Sequence, residues 1–242
     1  MKVLTLVFLA TNWVLGRFGY RLSNNRSTIL RSLNWLKRSG IDVRTVLDVG
    51  ASDGSWSKGC MRAGLSDANY VLFEPNPAHR EKLFQFSSSH KLASTCFAAV
   101  SDQIGTASFQ FKADDPLAGA LSDSDEAGTP VQCTTIDTEV SVRKCQGPYL
   151  LKLDTHGFER EILQGSQEVL RDTSVIVIEA YAFRLREKSL LFWELCELLQ
   201  TSGFRCIDIV DPLWRRYDGA FWQADLVFIR SDWPGFEYRQ YA

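Results

Sequence analysis

Asp154 and His156 stand two residues apart in the stretch Leu153-Asp154-Thr155-His156-Gly157-Phe158-Glu159, and Glu179 follows the apolar run Val175 to Ile178. An imidazole can take a proton near neutral pH, and a carboxylate can orient it or act as a base itself. Such a set suits removal of a proton from a weak nucleophile such as an alcohol. His156 is the expected base, with a histidine that only hydrogen-bonds its own turn as the alternative. Asp154 and Glu179 are the competing bases; Asp154 could instead orient His156 or a ligand amino group, and Glu179 could bind the acceptor. The three could also offer oxygen and imidazole ligands to a divalent ion. Their spacing matches no compact metal motif, so no metal is expected.

A second group lies in the first half. Thr45 to Gly54 reads as a buried strand, a tight turn bracketed by Gly50 and Gly54, and the start of a helix. Glycine lets the backbone approach a ligand, and the N–H groups that open a helix offer donors. The dinucleotide pattern of three glycines is not met, because Ser52 holds the middle position and nothing matches the third. Asp48 beside the turn suits a ligand carrying an amino group or positive charge. Glu74, held between Phe73 and Pro75-Asn76-Pro77, sits where doubly wound folds place a carboxylate that accepts from ribose hydroxyls. The alternative for Glu74 is a solvated charge at a strand end. His79 and His90 are expected to be solvated.

The elements that must position these groups alternate. A helix is expected within Ser23 to Ser39, and strands at Asn69 to Phe73, Thr95 to Val100 and Tyr149 to Leu153. Helices are expected at Ser55 to Ala63, Ala78 to Ser87, after Glu159, and at Leu190 to Gln200. Thr106 to Lys112 and Pro130 to Ile136 alternate like an antiparallel pair, with a mobile loop, Ala113 to Thr129, between them. Phe204 to Val210 and Asp225 to Ile229 lack an intervening helix, which favours an antiparallel hairpin. The expected fold is α/β: a doubly wound, mostly parallel, seven-stranded sheet with one antiparallel strand near its C-terminal edge. The joining segment Asp211 to Ala224 carries Trp214, Arg215, Arg216, Tyr217, Phe221 and Trp222, which would suit a saccharide or acidic acceptor, or would simply pack as a hairpin with a solvated Arg pair.

Composition bounds the class. With 242 residues, 45% of them hydrophobic and 23% charged, the chain reads as one globular domain, residues 41–242, behind a helical extension at 1–40. A net charge of -2 gives no reason to expect a nucleic-acid partner. Six cysteines without a CxxC pair suggest reduced thiols in a cytoplasmic protein. The apolar segment Val3 to Leu15 is shorter than the roughly twenty residues a membrane-spanning helix needs, and no small-x-small cleavage site follows it. It reads as an amphipathic or packing helix, with weak membrane-surface contact as the alternative.

Four motifs in order then carry a resemblance: Leu47-Asp48-Val49-Gly50-Ala51-Ser52, Phe73-Glu74-Pro75-Asn76-Pro77, Ala99-Val100-Ser101-Asp102, and Leu151-Lys152-Leu153-Asp154-Thr155-His156-Gly157-Phe158-Glu159 with Ile162-Leu163-Gln164-Gly165. From about Arg44 to Tyr181 the chain resembles the FkbM family of methyltransferases. The resemblance implies a Rossmann-like enzyme that moves a methyl group from S-adenosylmethionine to an oxygen, commonly a hydroxyl of a sugar or glycoconjugate. It implies that Asp48, Gly50 and Gly54 line the methionine end, that Glu74 holds the ribose and that Ser101 and Asp102 flank the adenine; Ser52, Asp53, Pro75 and Asp154 are expected in the same pocket. The family turn usually reads Gly-Ala-Asn where this chain has Ser52, and Glu or Gln usually stands at the position of His156. Two other functions stay open. One is a cofactor-binding module without chemistry, to which His156 points. The other is a nicotinamide-dependent oxidoreductase, which the missing third glycine and the lack of a Tyr-x-x-x-Lys pair argue against.

Overall fold

The structure, a computed structural model, describes residues 11, 13, 14, 17, 28–111, 119–121 and 128–241. The apolar segment Val3 to Leu15 thus falls almost wholly outside the described residues, as does most of Ala113 to Thr129.

Five runs form the parallel part of the central sheet, the inner ones apolar on both faces. Strands β1 (Thr45–Val49), β2 (Asn69–Phe73), β3 (Ala93–Cys96), β8 (Tyr149–Leu153) and β9 (Thr173–Tyr181) all pair in parallel. Every residue of β1 and β8 is buried, as parallel strands covered on both faces require. Strands β10 (Phe204–Trp214) and β11 (Phe221–Arg230) complete a seven-stranded sheet of order β10-β11-β9-β8-β1-β2-β3, in which β11 runs antiparallel to both neighbours. This is the sheet that the alternation of elements implied, with its one antiparallel strand next to the C-terminal edge.

Period-two alternation sorts the core. On one face Val46, Leu72, Leu150, Val177 and Val227 meet helices α1 (Ile29–Arg38), α2 (Ser55–Cys60) and α3 (Arg80–Ser89) through Leu33, Leu36, Cys60, Leu83 and Phe86. On the other, Leu47, Val71, Leu151, Ile176 and Phe228 meet α4 (Ile136–Arg143), α5 (Glu159–Gln164), α6 (Gln167–Arg171) and α7 (Phe192–Thr201). Truncating one of these fully buried leucines to alanine costs about 2–5 kcal/mol. Helix α1 is anchored by Ser32, which donates to Asp208 on β10 at 2.6 Å, and Trp35 packs edge-on against Trp233.

Several boundaries differ from the sequence reading. Thr95 to Val100 is not one strand: β3 ends at Cys96, and β4 (Ala99–Val100) crosses to pair with β7 (Thr129–Thr134) in a second, four-stranded sheet. Within that sheet β5 (Gly105–Phe111) pairs antiparallel with β7 as expected, but β6 (Gly119–Leu121) is a strand inside the segment read as loop. Ile136 opens a helix rather than closing a strand, because the Thr135 hydroxyl accepts from Thr138 N–H and caps it. The segment Asp211 to Ala224 is mostly strand, with the reversal confined to residues between Trp214 and Phe221. Cross-strand pairing overrides its turn-rich composition.

Candidate active site

The site begins with a misfit in β8. Lys152 is the one charged residue among Tyr149, Leu150, Leu151 and Leu153, and it is buried. Register places it beside Asp48 of β1, and its ammonium contacts Asp48 Oδ1 at 3.1 Å, Asp154 Oδ2 at 3.2 Å and the Gly50 carbonyl at 3.0 Å. Burial disfavours the charge, but Asp48 and Asp154 outweigh it and raise the Lys152 pKa. Asp48 is fully buried and also accepts from Ser57 at 2.6 Å. Removing one partner from such a pair costs about 3–5 kcal/mol, since the other charge is left uncompensated.

Two residues further along the strands, the same sheet face carries a row of carboxylates. Asp154 follows β8, Glu179 lies on β9, and Asp225 pairs with Glu179 from β11. Burial acts to raise Asp154, but Lys152 and His156 hold it below the usual carboxylate range. At Asp225 the pull of Lys152 is outweighed. Burial, then the charges of Glu179 and Asp154, push it up to about 7.

Two residues along each strand, Tyr181 and Gln223 are cross-strand neighbours on that same face. The Tyr181 hydroxyl and the Gln223 amide both donate to Glu179. His156 follows β8 in a left-handed conformation, φ 54°, which brings its Nδ1 to 2.7 Å from the Tyr181 hydroxyl and 3.2 Å from Glu179 Oε2. Because Tyr181 donates to Glu179, it accepts from His156 Nδ1–H, and Nε2 carries the lone pair. The ligand atoms of Asp154, His156 and Glu179 lie within 4.8 Å of one another, a spacing that admits a divalent ion. Their oxygens, however, already meet donors from Lys152, Tyr181 and Gln223.

At the other end, Gly50 turns the chain at φ 76°, where a Cβ would overlap the Asp154 carbonyl oxygen. Only glycine permits that close approach of β1 to β8. Glu74 is buried at the end of β2; its carboxylate accepts from Ser52 N–H at 2.8 Å and Asn76 N–H at 2.9 Å. Burial pushes its pKa up against those hydrogen bonds. A solvated strand-end charge is therefore not what Glu74 is. His79 is likewise buried rather than solvated, with Nε2 3.4 Å from the Ser52 hydroxyl, whereas His90 is half-buried and stacks on Phe86.

A cavity of about 360 Å³ joins the two ends, the size of a small-ligand pocket. Of the residues expected in a site, Gly50, Ser52, Glu74, Pro75, Asp154, His156 and Glu179 line it. Asp48 lies beneath the floor on Lys152. Asp53 is on the surface with Lys82, and Gly54 packs under Phe86 and Leu72. Ser101 and Asp102 are outside the wall, which is made there by Ala98, Ala99 and Val100. The sequence reading missed Lys152, Tyr181, Gln223, Asn76 and His79 as site groups. Lys152 was signalled by its apolar strand and Tyr181 by its period-two spacing from Glu179. Gln223 has no local signal, since register alone brings it in.

The cavity's two ends differ in chemistry. A buried carboxylate, Glu74, faces it at one end, between Phe73 and the apolar wall of Ala98 to Val100; acidic Asp154 and Glu179 face it at the other. That arrangement fits S-adenosylmethionine, with a ribose diol for Glu74, an apolar slot for a base, and a cationic amino-acid and sulfonium end for the carboxylates. Sheet order and site together define a Rossmann-like, S-adenosylmethionine-dependent methyltransferase of class I.

The methyltransferase FkbM domain model matches residues 48–206, and the chain belongs to the FkbM methyltransferase family. Solved structures with a similar fold include the magnesium protoporphyrin IX methyltransferase of Synechocystis PCC 6803 with bound S-adenosylmethionine (12% identity, 94% of this chain and 96% of that one, TM-score 0.44). Another is the 1,6-didemethyltoxoflavin-N1-methyltransferase of Burkholderia thailandensis with 1,6-didemethyltoxoflavin and S-adenosylhomocysteine (12% identity, 84% and 78%, TM-score 0.45). No curated protein matches the sequence. Membership of a methyltransferase family leaves the nicotinamide alternative without support.

Proposed function

We propose that this enzyme methylates a hydroxyl group of a carbohydrate or glycoconjugate, with His156 as the general base. The observation that carries the reading is the chain His156–Tyr181–Glu179, whose two ends line the cavity and whose buried tyrosine holds the imidazole in one tautomer with Nε2 as its basic nitrogen.

The cofactor supplies an activated methyl group on a sulfonium. The protein's tasks are to hold the acceptor in line and to take one proton from it. An alcohol is a poor nucleophile while protonated, so the base must lie beside the methyl-donating end. His156 and Asp154 line that part of the cavity together. Tyr181, held by Glu179, fixes the ring through Nδ1.

Aromatic groups support a saccharide acceptor. From Tyr181, Trp222 lies edge-on at 5.9 Å and stacks on Phe183 at 5.3 Å, and the Arg215 guanidinium covers Phe183 at 4.7 Å. Trp214 and Tyr217 are exposed beyond them. Sugar rings stack on such faces through their apolar C–H surfaces. The net charge of -2 disfavours nucleic acid as the acceptor. We assign the enzyme to the cytoplasm: all six cysteines are free thiols, and among the described residues no helix is long and apolar enough to cross a membrane.

The test is transfer of labelled methyl from S-adenosylmethionine to a panel of glycosides, glycolipids, proteins and RNA, with His156→Ala and His156→Gln alongside wild type. Label on a base-resistant ether of a glycoside, lost in both variants, is expected. Label confined to nitrogen or to RNA would overturn the acceptor class, and retained turnover in the variants would move the base to Asp154 or Glu179.

A further inference from the structure

Lys152 is buried out of the cavity, yet two of its three partners, Gly50 and Asp154, line it. The Lys152 ammonium donates to the Gly50 carbonyl at 3.0 Å and is ion-paired with Asp48 Oδ1 at 3.1 Å and Asp154 Oδ2 at 3.2 Å, so three acceptors from the sheet surround it. The third partner cannot yield: Asp48 is fully buried and tied to Ser57. The Trp56 ring lies 5.5 Å from Nζ and closes the remaining side. Gly50 and Asp154 are also packed on each other, since the Gly50 α-carbon rests on the Asp154 carbonyl. One buried cation therefore sets the pose of both wall groups, each of which keeps a further lone pair for a ligand donor.

We propose that Lys152 is a positioning residue for the amino-acid end of the cofactor: it holds the Asp154 carboxylate and the Gly50 carbonyl where they receive the ligand's α-amino group. The proposal rests on the reading that this end of S-adenosylmethionine lies at Gly50 and Asp154. A merely structural lysine would stabilise the sheet without regard to which part of the ligand is present.

Isothermal titration separates the two roles. S-Adenosylhomocysteine carries the amino-acid end, whereas 5′-methylthioadenosine has the same nucleoside and thioether without it. In full-length Lys152→Met, S-adenosylhomocysteine should bind at least tenfold more weakly while 5′-methylthioadenosine stays within about twofold of wild type. Should that variant fail to fold, as judged by circular dichroism, Asp48→Asn keeps the lysine and weakens only its buried anchor. The same selective loss, smaller in size, is expected there. Equal weakening of both ligands, or no weakening of either in a folded variant, overturns the proposal. A wild type that binds both ligands equally well also overturns it while leaving the cofactor in place. A wild type that binds neither ligand would instead fail the cofactor reading.

Discussion

The Tyr181 hydroxyl sits between His156 Nδ1, at 2.7 Å, and the Glu179 carboxylate. Burial and then the Glu179 charge raise the phenol's pKa, so it stays protonated and orients the ring. Tyr181→Phe removes one hydrogen bond, worth about 0.5–1.5 kcal/mol. We expect kcat to fall by roughly two- to tenfold, with KM for S-adenosylmethionine unchanged. Steady-state kinetics across pH checks this; a KM change at constant kcat would place Tyr181 in binding instead.

Glu74 faces the cavity while its two oxygens hold Ser52 and Asn76. Glu74→Ala should weaken S-adenosylhomocysteine binding by about 1–3 kcal/mol, the loss of charge-assisted hydrogen bonds. Isothermal titration measures it. Unchanged affinity would remove Glu74 from the ribose site.

The oxygens of Asp154 and Glu179 already meet Lys152, Tyr181 and Gln223. Dialysis against EDTA is therefore expected to leave methyl transfer unchanged. Activity lost to the chelator and restored by magnesium or manganese would put an ion among Asp154, His156 and Glu179.

Asp225 holds its proton to about 7 in the fold against an ordinary 3.8, chiefly through burial. A carboxyl whose folded pKa is raised stabilises fully below its unfolded pKa, and that stability is lost as pH rises through the folded value. Asp225→Asn keeps the shape without the charge. It should add about 1–3 kcal/mol at about pH 8 and little at about pH 4. Urea unfolding at the two pH values tests this; an equal effect at both would mean that the gain is packing rather than ionisation.

Local chemistry was legible along the chain. The alternation of apolar runs with helical periods disclosed the doubly wound sheet, and the lack of a helix between Phe204 and Ile229 disclosed the antiparallel strand. Glu74 between Phe73 and Pro75, and Asp154 and His156 after β8, could be read because each ends a buried strand, and ligands in such sheets gather at the strands' carboxyl ends. What the sequence could not reveal depends on register. Gln223 meets Tyr181, and Asp225 meets Glu179, only because β11 slots antiparallel beside β9, a pairing across more than forty residues. Asp48 looked like a ligand group because its strand ends at the glycine turn, yet register sets it beside Lys152, which takes up its carboxylate beneath the floor. His79 looked solvated because it sits on a polar helix, and only the fold buries it, with its Nε2 3.4 Å from the Ser52 hydroxyl. Residue type and strand ends are encoded locally; which side chain meets which across the sheet is decided by pairing, and that exists only once the chain has folded.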